Sequence, residues 1–282
     1  MDNLNSAPVI KLIKNNPGVS NSSGKLVSLF SFKGGVGKSI FATNLALELA
    51  QTFPMQKVAL VDFNLYNPDV ATMLKVDTKK GKVIKNYFCD NNVSLSSVSH
   101  SYPEITNIDL FLSDYDLMWL EEVTEEIITQ FITELKMQYD YVVIDTHPAL
   151  DFVTTFVAMK LSDRLICVTT PDIPSLRNSD RERIKYLRAL GINADICMIL
   201  TRYNITSDID INMVKQETGV DNIVCIHEKP ALIMDSINKG KPFVLGKTKD
   251  NSIKKIRVEL QKLIPFIADI DIEAIKQRSN ND

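Results

Sequence analysis

Short apolar runs recur along the chain at residues 26–30, 58–61, 108–112, 142–145, 165–168, 196–200 and 223–226. Each is rich in Val, Ile and Leu and too short for a helix. Runs that are apolar at consecutive rather than alternate positions predict strands buried on both faces of a parallel sheet. Between them the period changes. Phe41, Leu45, Leu49 and Phe53 repeat every fourth residue, with Ala42, Ala46 and Ala50 alongside, until Pro54 stops the pattern. That spacing predicts a helix over 41–53. Similar stripes predict helices over 120–139, 175–190 and 253–267. The alternation implies an α/β fold: a doubly wound, mainly parallel sheet flanked by helices, with right-handed crossovers. It occupies residues 25–268 as one domain. Residues 1–24, rich in Asn and Ser, are expected to form a flexible leader, and 269–282 a polar C-terminal tail.

Composition narrows the function classes. Of 282 residues, 45% are hydrophobic and 24% charged, which excludes a disordered or fibrous chain. Lys and Arg total 32 against 35 Asp and Glu, a net charge of −3. A uniformly basic nucleic-acid binder is excluded; a local basic patch is not. No apolar run approaches the roughly 18 residues that cross a bilayer, and the first residues lack a signal peptide's apolar core. Cys89, Cys167, Cys197 and Cys225 are scattered without a CxxC pair, and three lie inside apolar runs. Reduced structural thiols in a cytoplasmic protein are expected.

In a doubly wound sheet, ligands bind where strands end and helices begin. The first such loop reads Ser31-Phe32-Lys33-Gly34-Gly35-Val36-Gly37-Lys38-Ser39. Its glycines let successive backbone N–H groups converge on phosphate oxygens, and the following helix presents its positive end to the same anion. Lys38 supplies charge for β- and γ-phosphates, and the Ser39 hydroxyl can ligate Mg²⁺. The general GxxxxGK[ST] pattern would place glycine at position 32, where this chain has Phe32. Instead a second lysine, Lys33, opens the loop.

This KGGxGKS loop resembles the deviant Walker A motif of the MinD/ParA group of P-loop ATPases. The resemblance implies an ATP site in which Gly34, Gly35, Val36, Gly37, Lys38, Ser39 and Ile40 cradle the phosphates. It also implies that Lys33 reaches the nucleotide of a partner subunit, so that ATP drives a sandwich homodimer. Two facing polyanions repel, and a cation donated each way favours closure.

The second strand runs into Val61-Asp62-Phe63-Asn64. The family usually has Asp-x-Asp here, the first near Mg²⁺ and the second beside the attacking water. Asp62 matches the first; Asn64 replaces the second, and an amide can hydrogen-bond water but cannot take its proton. Slow hydrolysis is expected, with Asp62, Asn64, Lys38 and Lys33 as the catalytic set. The run ending at Asp145 matches the Walker B arrangement, making Ser39, Asp62 and Asp145 the Mg²⁺ residues. His147 is expected to be a solvent-facing loop residue. The resemblance further places Thr201 and Arg202 beside the adenine, with His227, Glu228 and Lys229 covering the base from the other side. Residues 169–178 and the spacing from Asp62 to Asp69-Val70-Ala71 are similar to the CpaE/TadZ pilus-assembly branch, and residues 238–242 match a further signature of the MinD/ParA family.

One segment departs from overall acidity. Residues 239–262 carry Lys239, Lys241, Lys247, Lys249, Lys254, Lys255, Arg257 and Lys262 against Asp250 and Glu259. The segment could contact DNA or anionic lipid; the favoured reading is the solvated face of an amphipathic helix. The sequence thus points to a Mg²⁺- and ATP-binding ATPase that dimerises on ATP and, with protein partners, places a surface machine such as a pilus apparatus, in the cytoplasm or peripherally at the membrane or a pole. A ParA-like DNA-partition ATPase and an ATP-locked scaffold are the alternatives. A metallocluster reductase is disfavoured, because no cysteine sits where protomers could share a cluster.

Overall fold

The structure, a computed structural model, describes residues 23–78, 81–90, 92–116, 118–119, 123–204, 208–246 and 251–270. Eight strands form one sheet in the order β3-β4-β2-β5-β1-β6-β7-β8. They are β1 (Lys25–Phe30), β2 (Val58–Phe63), β3 (Ser99–Tyr102), β4 (Ile105–Phe111), β5 (Tyr141–Thr146), β6 (Arg164–Thr169), β7 (Asp195–Tyr203) and β8 (Ile223–His227). Every neighbouring pair is parallel except β3 with β4.

The strands expected from apolar runs are all present, their ends shifted by a few residues. The edge strand β3 was not foreseen. Its Ser-His-Ser-Tyr sequence is partly exposed, so it lacks the two-faced burial that marks the others. Helix boundaries also differ. The stripe over 120–139 becomes a helix at Glu125–Gln138, opened by Thr124, whose hydroxyl accepts the Ile127 N–H. The single helix expected over 175–190 is two, Ile173–Asn178 and Arg181–Ala189. Asp180 stands extended between them and caps the second, its carboxylate accepting the Arg183 N–H at 2.9 Å. The helix expected over 253–267 likewise divides into Asn251–Gln261 and Ile264–Ala268; Pro265, at the start of the second, has no N–H to continue the first.

Side-chain alternation along each strand separates two cores. Val27, Leu29, Leu60, Val143 and Ile166 face the helices Lys38–Thr52, Asn251–Gln261 and Ile264–Ala268. Leu26, Val61, Val142 and Ile144 face Glu125–Gln138 and Val153–Leu161. The leader lies outside the described residues up to 22. Gly24 is anchored: its N–H donates to the Lys136 carbonyl at 2.8 Å, and a Cβ there would lie 1.9 Å from the Tyr139 oxygen. Of the tail, residues 271–282 lie outside the described residues, while Asp269 pairs with Lys25 at 2.5 Å and with Arg164.

The first helix carries the phosphate loop, and a buried charge pins it. Glu48, 1% exposed, receives Arg257 in a two-pronged pair at 2.7 and 3.1 Å and the Gln261 amide at 2.6 Å. Removing one member of such a pair leaves the other buried and uncompensated. Arg257→Met is expected to cost about 3 kcal/mol, and adding Glu48→Gln to recover most of it. Denaturant melts of the single and double variants measure this; a single variant as stable as the parent would show that Glu48 finds compensation elsewhere.

Candidate functional site

β1 and β2 both pair with β5, so the loops leaving their carboxyl ends gather at one corner of the sheet. The loop after β1 turns through Gly35 (φ 74°) and Gly37 (φ 96°) before the helix starts at Lys38. These left-handed angles favour glycine. A Cβ at Gly34 or Gly35 would meet nothing within 4 Å. Open space there, beside a helix N-terminus, gives an anion room and N–H donors. Val36 is buried and Ile40 packs against the same core, so both can offer a nucleotide only their backbone. Ser39 is buried in the first helical turn.

Asp62 on β2 and Asp145 on β5 are register partners, and both are fully buried. Lys38, 6% exposed, donates to Asp145 Oδ1 at 2.6 Å and to the Thr146 carbonyl. Asp62 accepts the Asn64 and Val70 N–H groups, each at 3.1 Å. Burial pushes the Asp62 carboxyl well above its ordinary range, and Asp145 pushes it further, against the pull of those two bonds and Lys38. Ser31 Oγ at the start of the loop, Asn64 Oδ1 and Asp145 Oδ2 are buried with no hydrogen-bond partner among the described residues. A buried acceptor without a donor is costly. An unpaired carboxylate oxygen on the strand next to a second carboxylate, with Ser39 following the lysine that binds the first, is a donor set that fits a hard divalent cation.

Lys33 is about half exposed and turned inward, 3.2 Å from Ser175 Oγ and 3.6 Å from Asp172 Oδ1. Asp172 caps the following helix by accepting the Ser175 N–H at 2.9 Å. Both partners lie in the 169–178 segment singled out from the sequence, which was given no contact with Lys33. The Asp-x-x-Ser capping pattern after β6 was the available signal.

The expected adenine residues have structural employment. The Thr201 hydroxyl, 2% exposed, lies 3.1 Å from the carbonyls of both Val36 and Thr169 and ties the phosphate loop to β6. Arg202, at φ 54°, donates to the Gly35 carbonyl at 2.8 Å. His227 is held by Glu259 through its Nδ1 at 2.5 Å and its N–H at 3.0 Å, and its ring meets Tyr203 edge-on. Glu228 is exposed and Lys229 half-buried. His147 differs from expectation. It is half-buried, 4.1 Å from the Phe152 ring centroid and 5.9 Å from that of Tyr66. Partial burial, then Lys38, pushes its pKa below the usual histidine value, which places it within charge reach of the site.

Residues 23–264 match the family model ParA, described as NUBPL iron-transfer P-loop NTPase. The chain is 26% identical over 272 residues to a protein of Emiliania huxleyi that carries the name septum site-determining protein MinD, covering 91% of this chain and 96% of that one. It is 29% identical over 178 residues to an iron-sulfur cluster carrier protein of Synechocystis, covering 60% of this chain and 47% of the carrier. Among solved structures, the septum site-determining protein MinD of Pyrococcus horikoshii, complexed with Mg-ADP, superposes with a TM-score of 0.73 at 23% identity, over 86% of this chain and 96% of that one. That last likeness shows the fold.

Because Asp62 is raised in the fold above its unfolded value, the stability it contributes is present at low pH and lost as pH rises through the raised pKa. Asp62→Asn should therefore be increasingly more stable than the parent as pH rises, and Mg²⁺ should narrow the gap by stabilising the parent alone. Thermal melts of both proteins across pH test this; a pH-independent gap would show that Asp62 ionises freely.

Proposed function

The chain belongs to the ParA family of P-loop NTPases, and from that premise we propose that it is a Mg²⁺-dependent ATPase whose ATP-bound form closes into a face-to-face homodimer and places a cell-surface machine, a pilus apparatus being the cargo. The observation that carries this reading is the convergence of an open glycine loop, Lys38 and two register-paired aspartates on one corner.

The chain's own residues divide the work. Backbone N–H groups of residues 34–39 bind the phosphates, and Lys38 neutralises the β–γ bridge region. Asp62, Asp145 and Ser39 hold the cation, which supplies positive charge to the phosphate oxygens. Thr201 and Arg202 keep the loop in shape from behind. Lys33, on the open side of the loop, supplies the cation that a second copy's nucleotide requires.

The assignment of cargo rests on the resemblance of residues 169–178, and of the spacing from Asp62 to Asp69-Val70-Ala71, to the pilus-assembly branch. Two alternatives are less well supported. For DNA partition, the basic segment loses strength in the fold: Arg257 is consumed by Glu48 and Lys239 pairs with Asp235 at 2.8 Å. Lys241, Lys254, Lys255 and Lys262 are exposed, and Lys247 and Lys249 lie outside the described residues. For cluster carriage, Cys167 and Cys197 are buried in the cores of opposite sheet faces, Cys89 is exposed, and no metal-binding group of three or more His, Cys, Asp or Glu side chains occurs among the described residues.

Light scattering with Mg²⁺-ATP, followed in time and compared with Mg²⁺-ADP, tests the switch. The expected result is a dimer with ATP only, decaying as phosphate is released. Lys38→Ala should abolish ATP binding, whereas Lys33→Ala should bind ATP and stay monomeric. A dimer that persists without phosphate release would make the protein an ATP-locked scaffold. ATP-dependent, salt-sensitive DNA binding would move the cargo to DNA. No dependence on ATP would overturn the reading.

A further inference from the structure

Hydrolysis of ATP needs an acceptor for the proton of the attacking water, and Asn64 cannot be one. Its amide oxygen is buried and unpartnered at the site, so it can hold a water through a hydrogen bond but not deprotonate it. The carboxylates nearby are mostly committed. Asp62 has a backbone N–H on each oxygen, Asp145 has Lys38 on one oxygen and its other oxygen buried where the proposed cation would sit, and Asp172 receives Ser175, Thr170 and Lys33.

Asp69 is different. The N–H of the next residue, Val70, is bound to Asp62 Oδ2 at 3.1 Å, which ties the backbone at Asp69 to one of the paired aspartates. Asp69 occupies the N-cap position of the Val70–Leu74 helix, yet its side chain makes no capping bond. Its carboxylate accepts no hydrogen bond from any described residue and stands at the solvent rim, in charge reach of Asp145 and Lys38. An aspartate at a helix start ordinarily caps; this one is left free, one residue before the N–H that binds Asp62.

We propose that Asp69 is the carboxylate that accepts the proton of the attacking water, compensating from five residues downstream for the base absent at Asn64. The proposal rests on the ATPase reading above. The water oxygen forms a bond to the γ-phosphorus while the bond from that phosphorus to the β–γ bridging oxygen breaks, its electron pair leaving with ADP. The water proton passes to an Asp69 oxygen and from there to solvent. Partial burial and Asp145 raise the Asp69 carboxyl above its ordinary range, with Lys38 opposing, and a raised carboxylate is the better base near neutral pH.

The test compares Mg²⁺-ATP binding and phosphate release in the parent, Asp69→Asn, Asn64→Asp and the double variant. Asp69→Asn should bind ATP as the parent does and lose turnover by about a hundredfold. Adding Asn64→Asp should restore turnover by returning a carboxylate to the other position, a rescue that a purely structural role for Asp69 would not produce. Turnover within twofold of the parent in Asp69→Asn would overturn the proposal, as would loss of ATP binding in that variant or failure of the rescue. A parent that binds ATP without hydrolysing it overturns the role of Asp69 alone; a parent that does not bind ATP removes the ATPase reading and Asp69's role together.

Discussion

Two carboxylates buried side by side are the constraint around which the rest of this corner is built. Asp62 and Asp145 face each other across adjacent central strands, where ionising both in a low-dielectric surrounding is strongly unfavourable. The fold answers with one buried cation, Lys38, and with backbone donors. Lys38 can serve only because the glycine loop delivers it from β1 to the end of β5, and the loop keeps its course because Thr201 and Arg202 hold its carbonyls. The helix behind the loop is in turn fixed by Glu48 and Arg257. Structure remote from the site thus sets where one ammonium group stands.

Much of this was legible in the sequence because it is local. A run of Val, Ile and Leu ending in Asp encodes a central strand and the position of its last side chain. Gly35 and Gly37 mark backbone angles that other residues resist, so their spacing from Lys38 encodes a shape. Less legible were features decided by a distant partner. The Ser99–Tyr102 strand exists because β4 offers an edge, not because its own residues are apolar. The break between Ile173–Asn178 and Arg181–Ala189 depends on which way Asp180 turns, and a smooth hydrophobic stripe conceals it.

Thr201, Arg202 and His227 show a different gap. The resemblance assigned them to the base of a nucleotide, and the fold gives each of them a partner of its own. Each side chain already has a partner within the chain: loop carbonyls for the first two and Glu259 for the third. A polar residue near a ligand site serves the ligand or the scaffold according to which donors reach it first. Only the three-dimensional arrangement decides that. His147 errs in the opposite direction, since its ring is packed against Phe152 where a polar loop residue was expected.

The same bookkeeping of partners explains how such a site can switch. Lys38 contacts both the Asp145 carboxylate and the Thr146 carbonyl, and so the end of β5 is held by the group that the proposed nucleotide also requires. A polyphosphate and Asp145 compete for that ammonium, and a divalent cation is the natural replacement on the carboxylate. Arrival of nucleotide and cation therefore exchanges partners at the end of β5 without adding uncompensated charge. His147 and Phe152 follow directly in the chain and pack on Tyr66 from the loop after β2. That aromatic contact joins the loop after β5 to the loop after β2. The buried carboxylates that make the corner costly to fold are thus also the groups whose compensation the proposed nucleotide and cation would rearrange.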